Sequence, residues 1–352
     1  MDTIARYEQL QAKYLNMAKR RNLSDCTLRN YESVTDNLKA FLKERSEKGI
    51  IGDGYVSFDD IEAWVDAMMA AGNKPSSVKQ KLVSAGQFFT FASKPYIPAE
   101  LRYEQSPVSP DFYPKVITEQ IEETLSNEDI IRLWEYDKKY RASEAQFARN
   151  YCLVVLMLCT GLRNKEVLDL ALSDYDEHFR ELRVRNGKGR KERIVDMPDL
   201  AIEAINNYLR LGGRPLDLPD AAPLFGTTAE HTFGDPSATG GSETWHRGTT
   251  AWLSQLVARH IEKQTGGRVL GCRTHSLRHA FARLQLNATG NLAELQALMG
   301  HTSPLVTERY SKRLCERRKR EEVLKVLAAR DEAAKRLRYM NESEQSVITL
   351  YA

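Results

Sequence analysis

The chain has 352 residues, of which 42% are apolar and 28% are charged. This length favours two domains, and the apolar content excludes a disordered chain. The net charge of +3 neither requires nor opposes a nucleic-acid partner, because local clustering of charge decides such binding.

The cysteine pattern argues against a disulfide framework and against a zinc ribbon, because the count is odd and no pair has C-x-x-C spacing. The five are Cys26, Cys152, Cys159, Cys272 and Cys315. Such usage is typical of a reducing, intracellular compartment. The N-terminus has no apolar region of the signal-peptide kind, and the longest apolar run, Cys152–Cys159, is too short to cross a bilayer. We therefore predict a cytoplasmic protein.

Residues 1 to about 94 predict a bundle of helices, because apolar residues recur at helical spacing. The first helix covers residues 1–21. The second begins at Ser24-Asp25 and stops at Lys48-Gly49, where a cap residue and a glycine mark its ends. The third begins at Ser57 or Asp59 and runs through Met69, and the fourth begins near Pro75 and runs through Phe91.

Residues 95–118 contain five prolines, which break helices and stiffen an extended linker. We place the domain boundary there. The predicted division is an N-terminal helical domain at 1–106, a proline-rich linker at 107–124, a second domain at 125–340 and a C-terminal tail at 341–352.

The second domain predicts helices around one small β element. Ser126 is suited to cap a first helix, and the apolar helix Phe147–Cys159 ends at Gly161. A short helix, Asn164–Leu170, follows. Residues 181–196 alternate around turn residues and predict a β-hairpin. Residues 226–248 are rich in Gly, Ser and Thr and predict a surface loop, after which helix returns.

Two motifs in this domain carry basic side chains next to turns. Arg163 is placed near a helix N-terminus that favours an anion, and Glu166 is three residues further along the same face. A surface salt bridge explains this pair equally well. Lys188 is flanked by glycines at the tip of the hairpin, with Arg190, Lys191 and Arg193 nearby. A solvated basic turn is the plainer interpretation, and the spacing of a Walker phosphate loop is missing.

Two further motifs follow. Thr274 is suited to cap a helix that carries His275 and Arg278 on one face, while Leu277, Phe281 and Leu284 point to the core. Gly300 is suited to end a helix that begins near Asn291, which places His301 in the connection and Tyr310 two turns into the next helix. A satisfied histidine beside a surface arginine, and a half-buried tyrosine, are the plainer interpretations. A metal site at His275 and His279 is weak, because no third ligand is evident.

These residue types suit attack on a phosphodiester. A phenol with a pKa near 10 is a weak nucleophile, so it must lose a proton, and the departing 5′ oxygen must gain one. Arginine matches the phosphate oxygens with a planar fork and does not deprotonate. Imidazole and ammonium groups supply the acid–base work. The value of the four motifs is therefore joint: an arginine, a hairpin lysine, His-x-x-Arg, Gly-His and a tyrosine nine positions on.

This ordered set resembles the tyrosine recombinases of the phage integrase family. The family shows a Thr-Gly-Leu-Arg-x-x-Glu box, a Gly-Lys-Gly hairpin, a His-x-Leu-Arg-His motif and Leu-Gly-His followed by a tyrosine. The chain matches at 160–166, 187–189, 275–279 and 299–310, with Met299 in place of the leucine. The resemblance implies a mainly α fold with a small antiparallel β-sheet in the catalytic domain. It also implies a C-shaped clamp of two domains, of which the N-terminal helical bundle is the core-binding domain.

The resemblance also implies roles for the matched residues. Arg163 and Arg278 would clamp the scissile phosphate, with His275 and His301 bonded to it. Lys188 would protonate the leaving 5′ oxygen, Glu166 would support the site, and Tyr310 would form a 3′-phosphotyrosyl link. No metal or other cofactor is implied. The partners would be double-stranded DNA with an inverted-repeat core site and a homotetramer that passes through a Holliday junction on two such sites.

Three predictions are less specific. Candidate DNA contacts are Arg29, Lys79, Lys81, Arg190, Lys191 and Arg273. Residues 311–340 predict a charged helix with a stripe of Leu324, Leu327, Ala328 and Leu337. The tail at 341–352 is expected to dock on a neighbouring protomer, or else to pack on its own domain. Within the family, the sequence favours a simple recombinase of the Xer, Cre-like or transposon type, without an arm-binding domain. The alternatives are a type IB topoisomerase-like enzyme and a catalytically inert DNA-binding protein.

Overall fold

The computed structural model describes residues 2–52, 54–115, 125–135, 144–185, 192–227, 245–300 and 317–351. The chain divides into two compact units, Met1–Gln120 and Ile121–Ala352. Most of the described residues are helical, and the strands all lie in the second unit. The predicted mainly α fold with a small antiparallel sheet is therefore confirmed.

The described residues of the first unit form four α-helices, and all four were predicted. They are α1 (Thr3–Arg20), α2 (Asp25–Glu47), α3 (Phe58–Ala70) and α4 (Pro75–Ala92). Ser24 and Ser57 cap α2 and α3, because their side chains accept from the backbone N–H groups of Thr27 and Asp60. Pro75 occupies the first position of α4, where its missing N–H leaves no bond unmade.

Aromatic rings hold these helices together. Tyr7 and Tyr14 of α1 pack against Phe88 of α4, with ring centroids 5.0 and 5.5 Å apart. The Tyr7 hydroxyl is buried and donates to the carbonyl of Thr35 in α2 at 2.9 Å. The proline-containing segment also packs on this core, since Val108 is buried in it and Phe112 and Tyr113 lie against it.

The second unit is built around α6 (Glu144–Thr160), which is buried on nearly every side. Helix α5 (Asn127–Trp134), capped by Ser126 as predicted, packs beside it, and α7 (Asn164–Leu168) follows it. Cys152 and Cys159 are buried in α6, and burial raises the pKa of Cys159 to about 12. Both cysteines therefore behave as small apolar side chains in this helix.

The sheet has three antiparallel strands in the order β1 (Tyr175–Asp176), β2 (Glu181–Val184) and β3 (Arg193–Asp196). The predicted hairpin is β2–β3, paired from Glu181↔Asp196 to Val184↔Arg193. Its tip, including Lys188, Arg190 and Lys191, lies outside the described residues. Strand β1 was not predicted, because two residues are too few to show a period.

Between the sheet and the C-terminal helix, the described residues form the helices α8 (Asp199–Arg210), α9 (Thr250–Gln264), α10 (Thr274–Thr289) and α11 (Leu292–Met299). The predicted loop at 226–248 needs a correction. Its two ends pair as short antiparallel strands, β4 (Gly226–Thr227) and β5 (His246–Arg247), and residues 228–244 between them lie outside the described part.

The last helix, α12 (Arg317–Tyr351), packs on α5, α8 and α10 of its own unit. The predicted apolar stripe is partly wrong. Leu337 is buried and Leu327 packs against the core, whereas Leu324 and Ala328 are exposed. The other buried apolar residues of the helix are Val323, Val326 and Ala334. The contact continues to Asn341, which bonds to Glu203 and Arg210 of α8, each at 3.3 Å.

Gly161 turns the chain between α6 and α7 with φ +63°, and a Cβ there would lie 2.3 Å from Cδ1 of Phe281. Gly290 ends α10 at φ +68° with no atom within 4 Å of such a Cβ. We expect Gly161→Ala to lower the free energy of unfolding by about 3 kcal/mol, since steric overlap adds to left-handed strain. Gly290→Ala adds strain alone and should cost about 1 kcal/mol. Urea denaturation of both variants tests this, and equal losses would show that the Phe281 contact is not restrictive.

Candidate active site

Arg163 lies in the short connection between α6 and α7. Its extended backbone (φ −79°, ψ 155°) makes it the residue that precedes the first turn of α7. Its guanidinium donates from Nη1 to Oε1 of Glu166 at 2.8 Å and from Nη2 to the carbonyl of Gly300 at 3.0 Å. The side chain is 24% exposed, so it is partly open to solvent.

The Glu166 carboxylate accepts four hydrogen bonds from two arginines. Oε1 accepts from Nη1 of Arg163 at 2.8 Å and from Nη1 of Arg193 at 2.9 Å. Oε2 accepts from the backbone N–H of Arg163 and from Nη2 of Arg193, both at 2.9 Å. The side chain is only 2% exposed. Glu166 is therefore a buried, fully bonded carboxylate rather than a surface salt bridge.

The pKa of Glu166 reflects this competition. Burial alone would raise the pKa, because it penalises the charged form. The hydrogen bonds from Arg193 and from the backbone and side chain of Arg163, together with the positive charge of Arg193, outweigh burial and lower the pKa to about 2. Glu166 is thus ionised at neutral pH, so it is unsuited to proton transfer and suited to holding guanidinium groups.

The partner of Arg193 was not predicted from the sequence. Arg193 is the first residue of β3, it pairs with Val184, and it binds Glu166 through two parallel bonds. The two-residue alternation of a β-strand could have indicated that Arg193 is buried and needs a partner. Val195 is buried, so Arg193 lies on the same inward face, whereas Ile194 between them is 58% exposed. A charged residue on a buried face requires a partner.

Arg278 lies in α10 and is only 5% exposed. Its Nη1 donates to the carbonyl of Gly161, and its Nη2 donates to the carbonyl of Met299 at 2.7 Å. The predicted core residues of this helix, Leu277, Phe281 and Leu284, are buried as expected. Arg278 therefore joins the turn before α7 to the end of α11.

Three hydrogen bonds, from Arg163 to Gly300 and from Arg278 to Gly161 and Met299, bring three of the sequence motifs together. Arg163 and Arg278 reach the two adjacent carbonyls of Met299 and Gly300, where α11 ends with Gly300 at φ +59°. Three guanidinium groups (Arg163, Arg193 and Arg278) and one carboxylate (Glu166) form the linked cluster, so its formal charge is +3 − 1 = +2. A partly exposed cluster of this sign favours an anion.

His275 is exposed in the first turn of α10, three residues before the buried Arg278. The predicted cap at Thr274 is wrong. Arg273 is the residue that precedes the helix, and Thr274 is its first helical residue, with a buried Oγ1 that has no partner among the described residues. The helix thus begins at the predicted place with a different capping residue.

The structure places only part of the predicted site. His301 and Tyr310 lie outside the described residues, as do Lys188, Arg190 and Lys191 of the hairpin tip. Among the candidate DNA contacts, Arg29, Lys79 and Arg273 are exposed and Lys81 is half-buried. The ammonium of Lys79 lies 5.9 Å from the centroid of the Tyr113 ring. Roles at all these positions stay predictions.

Among the described residues, no cluster of three or more His, Cys, Asp or Glu is suited to hold a metal ion. No helix in the described part of the chain has the length and apolar character needed to cross a membrane.

Comparison with known families agrees with the motifs. The sequence model of the phage integrase family matches residues 123–317, which is more than half of the chain. The matched range contains Arg163, Lys188, Arg278 and Tyr310. The chain therefore belongs to the phage integrase family, the tyrosine recombinases.

Individual relatives are similar along most of their length. The chain is 29% identical to the tyrosine recombinase XerD of Rhizobium meliloti, over 86% of this chain and 89% of the relative. It is 27% identical to the tyrosine recombinase XerC of Psychromonas ingrahamii, over 85% of this chain and 89% of the relative. Among solved structures, XerH site-specific recombinase bound to palindromic difH substrate shares the fold, with a TM-score of 0.63 and 19% identity over 92% of this chain and 85% of that one.

The lowered pKa of Glu166 makes stability depend on pH. The folded pKa of about 2 lies below the ordinary value of 4.5, so the stabilisation is present above about pH 5 and is lost as pH falls towards 2. Between about pH 5 and pH 3.5, wild type should lose about 1 kcal/mol more unfolding free energy than Glu166→Gln. Urea denaturation at both pH values measures the difference. Parallel losses in the two proteins would contradict the ionised, bonded state of Glu166.

Proposed function

We propose that this protein is a site-specific DNA recombinase that cleaves and rejoins strands through a 3′-phosphotyrosyl intermediate. The observation that carries the proposal is the meeting of Arg163 and Arg278 at the Met299–Gly300 turn. His301 follows that turn directly in the sequence, and Tyr310 follows nine residues later. The proposed site is therefore a phosphate clamp beside the segment that carries the nucleophile.

The arginines supply the electrostatic part of the reaction. As Tyr310 attacks, negative charge grows on the non-bridging oxygens of the phosphate. Arg163 and Arg278 would bind these oxygens, and Glu166 would hold Arg163 in a fixed orientation through its two bonds to that residue. His275 and His301 would donate further hydrogen bonds. Because the donors are held before substrate arrives, little reorganisation is needed during the reaction.

The remaining roles concern the transfer of protons. The Tyr310 oxygen forms a bond to phosphorus, the bond from phosphorus to the 5′ oxygen breaks, and the phenolic proton is lost to a base, for which His275 is the candidate. Lys188 would give a proton to the departing 5′ oxygen. A positioned acid or base is worth roughly 10²–10⁴-fold in rate. The phosphotyrosyl link conserves the bond energy, so rejoining needs no nucleotide hydrolysis.

Recombination requires two such rounds. The 5′ hydroxyl of a partner strand attacks the phosphotyrosyl link, and the exchanged strands form a Holliday junction that a second round resolves. We propose a homotetramer on two DNA sites with inverted-repeat cores. The biological outcome would be the integration, excision, inversion or resolution of a DNA element.

DNA contacts outside the reacting centre are proposed on both units. Arg29 of α2 and Lys79 and Lys81 of α4 would bind backbone phosphates from the first unit. Helices α2 and α4 are in contact through Asn30 and Ser84 at 3.2 Å, so the three basic residues lie on neighbouring helices. Arg190, Lys191 and Arg273 would do so from the second unit. Contacts to phosphate fix position and carry no sequence information.

Covalent capture on DNA tests the central step. Nicked duplexes cut from the DNA that flanks the gene let the cleaved end diffuse away, so the phosphotyrosyl adduct accumulates. We expect wild type to form a protein–DNA adduct that survives denaturing electrophoresis, and we expect Tyr310→Phe to form none, because the nucleophilic oxygen is gone.

The matched control is Tyr339→Phe, which removes the hydroxyl of an exposed tyrosine on α12 (73% exposed). This control should form the adduct at the wild-type level. An adduct that persists in Tyr310→Phe would contradict the assignment of the nucleophile, and wild type without any adduct would contradict cleavage itself.

The end of α12 is proposed to dock on a neighbouring protomer in the tetramer. Asn341 marks the last described side-chain contact of this helix with α8, so truncation after Glu342 keeps the intramolecular bonds. We expect the truncated protein to unfold at the wild-type temperature and to lose assembly on DNA beyond the dimer, as measured by light scattering. Unchanged assembly with lowered thermal stability would show that the segment packs on its own unit.

A further inference from the structure

One side chain joins the start of β3 to Arg163 and Arg278, the pair that we call the arginine clamp. Arg193 opens the strand and binds both oxygens of Glu166 at 2.9 Å, in the two-bond geometry that only a guanidinium provides. Its side chain is 15% exposed and Glu166 is 2% exposed, so the pair is largely shielded from water. A shielded, two-bond ion pair fixes orientation as well as distance.

Arg193 also lies against the turn that ends α11. A Cβ placed on Gly300 would be 3.1 Å from Nη1 and 3.4 Å from Nε of Arg193, so the guanidinium lies against the bare backbone of Gly300. The carbonyl of the same glycine accepts from Arg163. Arg193 therefore touches both the carboxylate and the turn to which Arg163 is bonded.

Arg193 is close in sequence to Lys188, the proposed general acid. The described ladder of the hairpin closes at Val184↔Arg193, and Lys188 stands five residues before Arg193 in the sequence. On the other arm of the hairpin, Arg185 is 44% exposed and bonds to the buried carboxylate of Asp174 instead. Only the Arg193 arm is bonded to the clamp, as far as the described residues go.

We propose that Arg193 is a positioning residue: it fixes the β2–β3 hairpin, and with it the general acid Lys188, against the arginine clamp. This inference rests on the proposed function. Arg193 touches neither phosphate nor nucleophile in this role and acts through Lys188. The step affected is proton delivery to the 5′ oxygen as the bond between phosphorus and that oxygen breaks.

A change of leaving atom isolates that step. In a duplex whose scissile phosphate carries sulfur in place of the bridging 5′ oxygen, the bond from phosphorus to sulfur breaks and sulfur leaves as a thiolate. A thiol has a pKa near 8.5, so its anion needs no acid to leave. Loss of the general acid therefore slows cleavage of the oxygen substrate alone, whereas damage to the phosphate clamp slows cleavage of both.

The experiment measures single-turnover cleavage of the oxygen and sulfur duplexes, both built on a site captured with wild type. We expect Arg193→Lys to cleave the oxygen substrate roughly 10- to 100-fold more slowly, the scale of a displaced catalytic group, and the sulfur substrate within about threefold of wild type. Lys188→Ala should share this pattern, and Arg163→Lys should lose both activities. Arg185→Lys, which disturbs the matched pair on the other arm, should cleave both substrates as wild type does.

A double variant distinguishes the proposed role of Arg193 from a general structural defect. If Arg193 acts through Lys188, the variant carrying both Arg193→Lys and Lys188→Ala cleaves the oxygen substrate no more slowly than Lys188→Ala alone. Equal losses of Arg193→Lys on the two substrates, wild-type rates on both, or additive losses in the double variant would each overturn the proposal. Absence of any adduct with wild type would overturn the proposed function first, which separates the two failures.

Discussion

The Glu166 carboxylate is the interaction on which the described part of the site depends. Its two oxygens accept four hydrogen bonds, three from guanidinium groups and one from the backbone. A buried carboxylate without such partners would take up a proton, and a buried guanidinium without hydrogen-bond acceptors would destabilise the fold. Because each partner satisfies the other, the two arginines stay charged and oriented where water is scarce.

Three connections meet around this carboxylate. Gly161 turns the chain from α6 into α7, Gly300 ends α11, and β3 begins at Arg193. Arg278 joins the first two by donating to the carbonyls of Gly161 and Met299. The large helical core behind them, centred on α6, holds these turns at fixed positions. The cluster keeps a charge of +2 after Glu166 is counted, which suits a phosphodiester and leaves the carboxylate a purely organising role.

Local chemistry made much of the fold predictable from the sequence. Serine caps at Ser24 and Ser126, the start of α3 near Ser57 and the glycine end at Gly300 were predicted correctly, because these signals act over a few residues. Long-range pairs were not predictable. The bond from Arg193 to Glu166 joins residues 27 apart in the sequence, and the helix face that α12 buries depends on which helices it meets. Leu324 was assigned wrongly for the same reason, since the spacing of apolar residues did not show which of two adjacent positions faces the core. Thr274 was assigned wrongly by one position, because its residue type suits a cap although Arg273 is the residue that precedes the helix.

The claim that Tyr310 is the nucleophile is tested most directly by locating the atom that becomes joined to DNA. The adduct formed on a nicked duplex can be digested with trypsin and nuclease, and the nucleotide-bearing peptide can be sequenced by mass spectrometry. We predict that the 3′-phosphate is attached to Tyr310, in the peptide that follows Arg309 and ends at Lys312. Attachment to any other residue, or an adduct without a phosphotyrosine linkage, would contradict it.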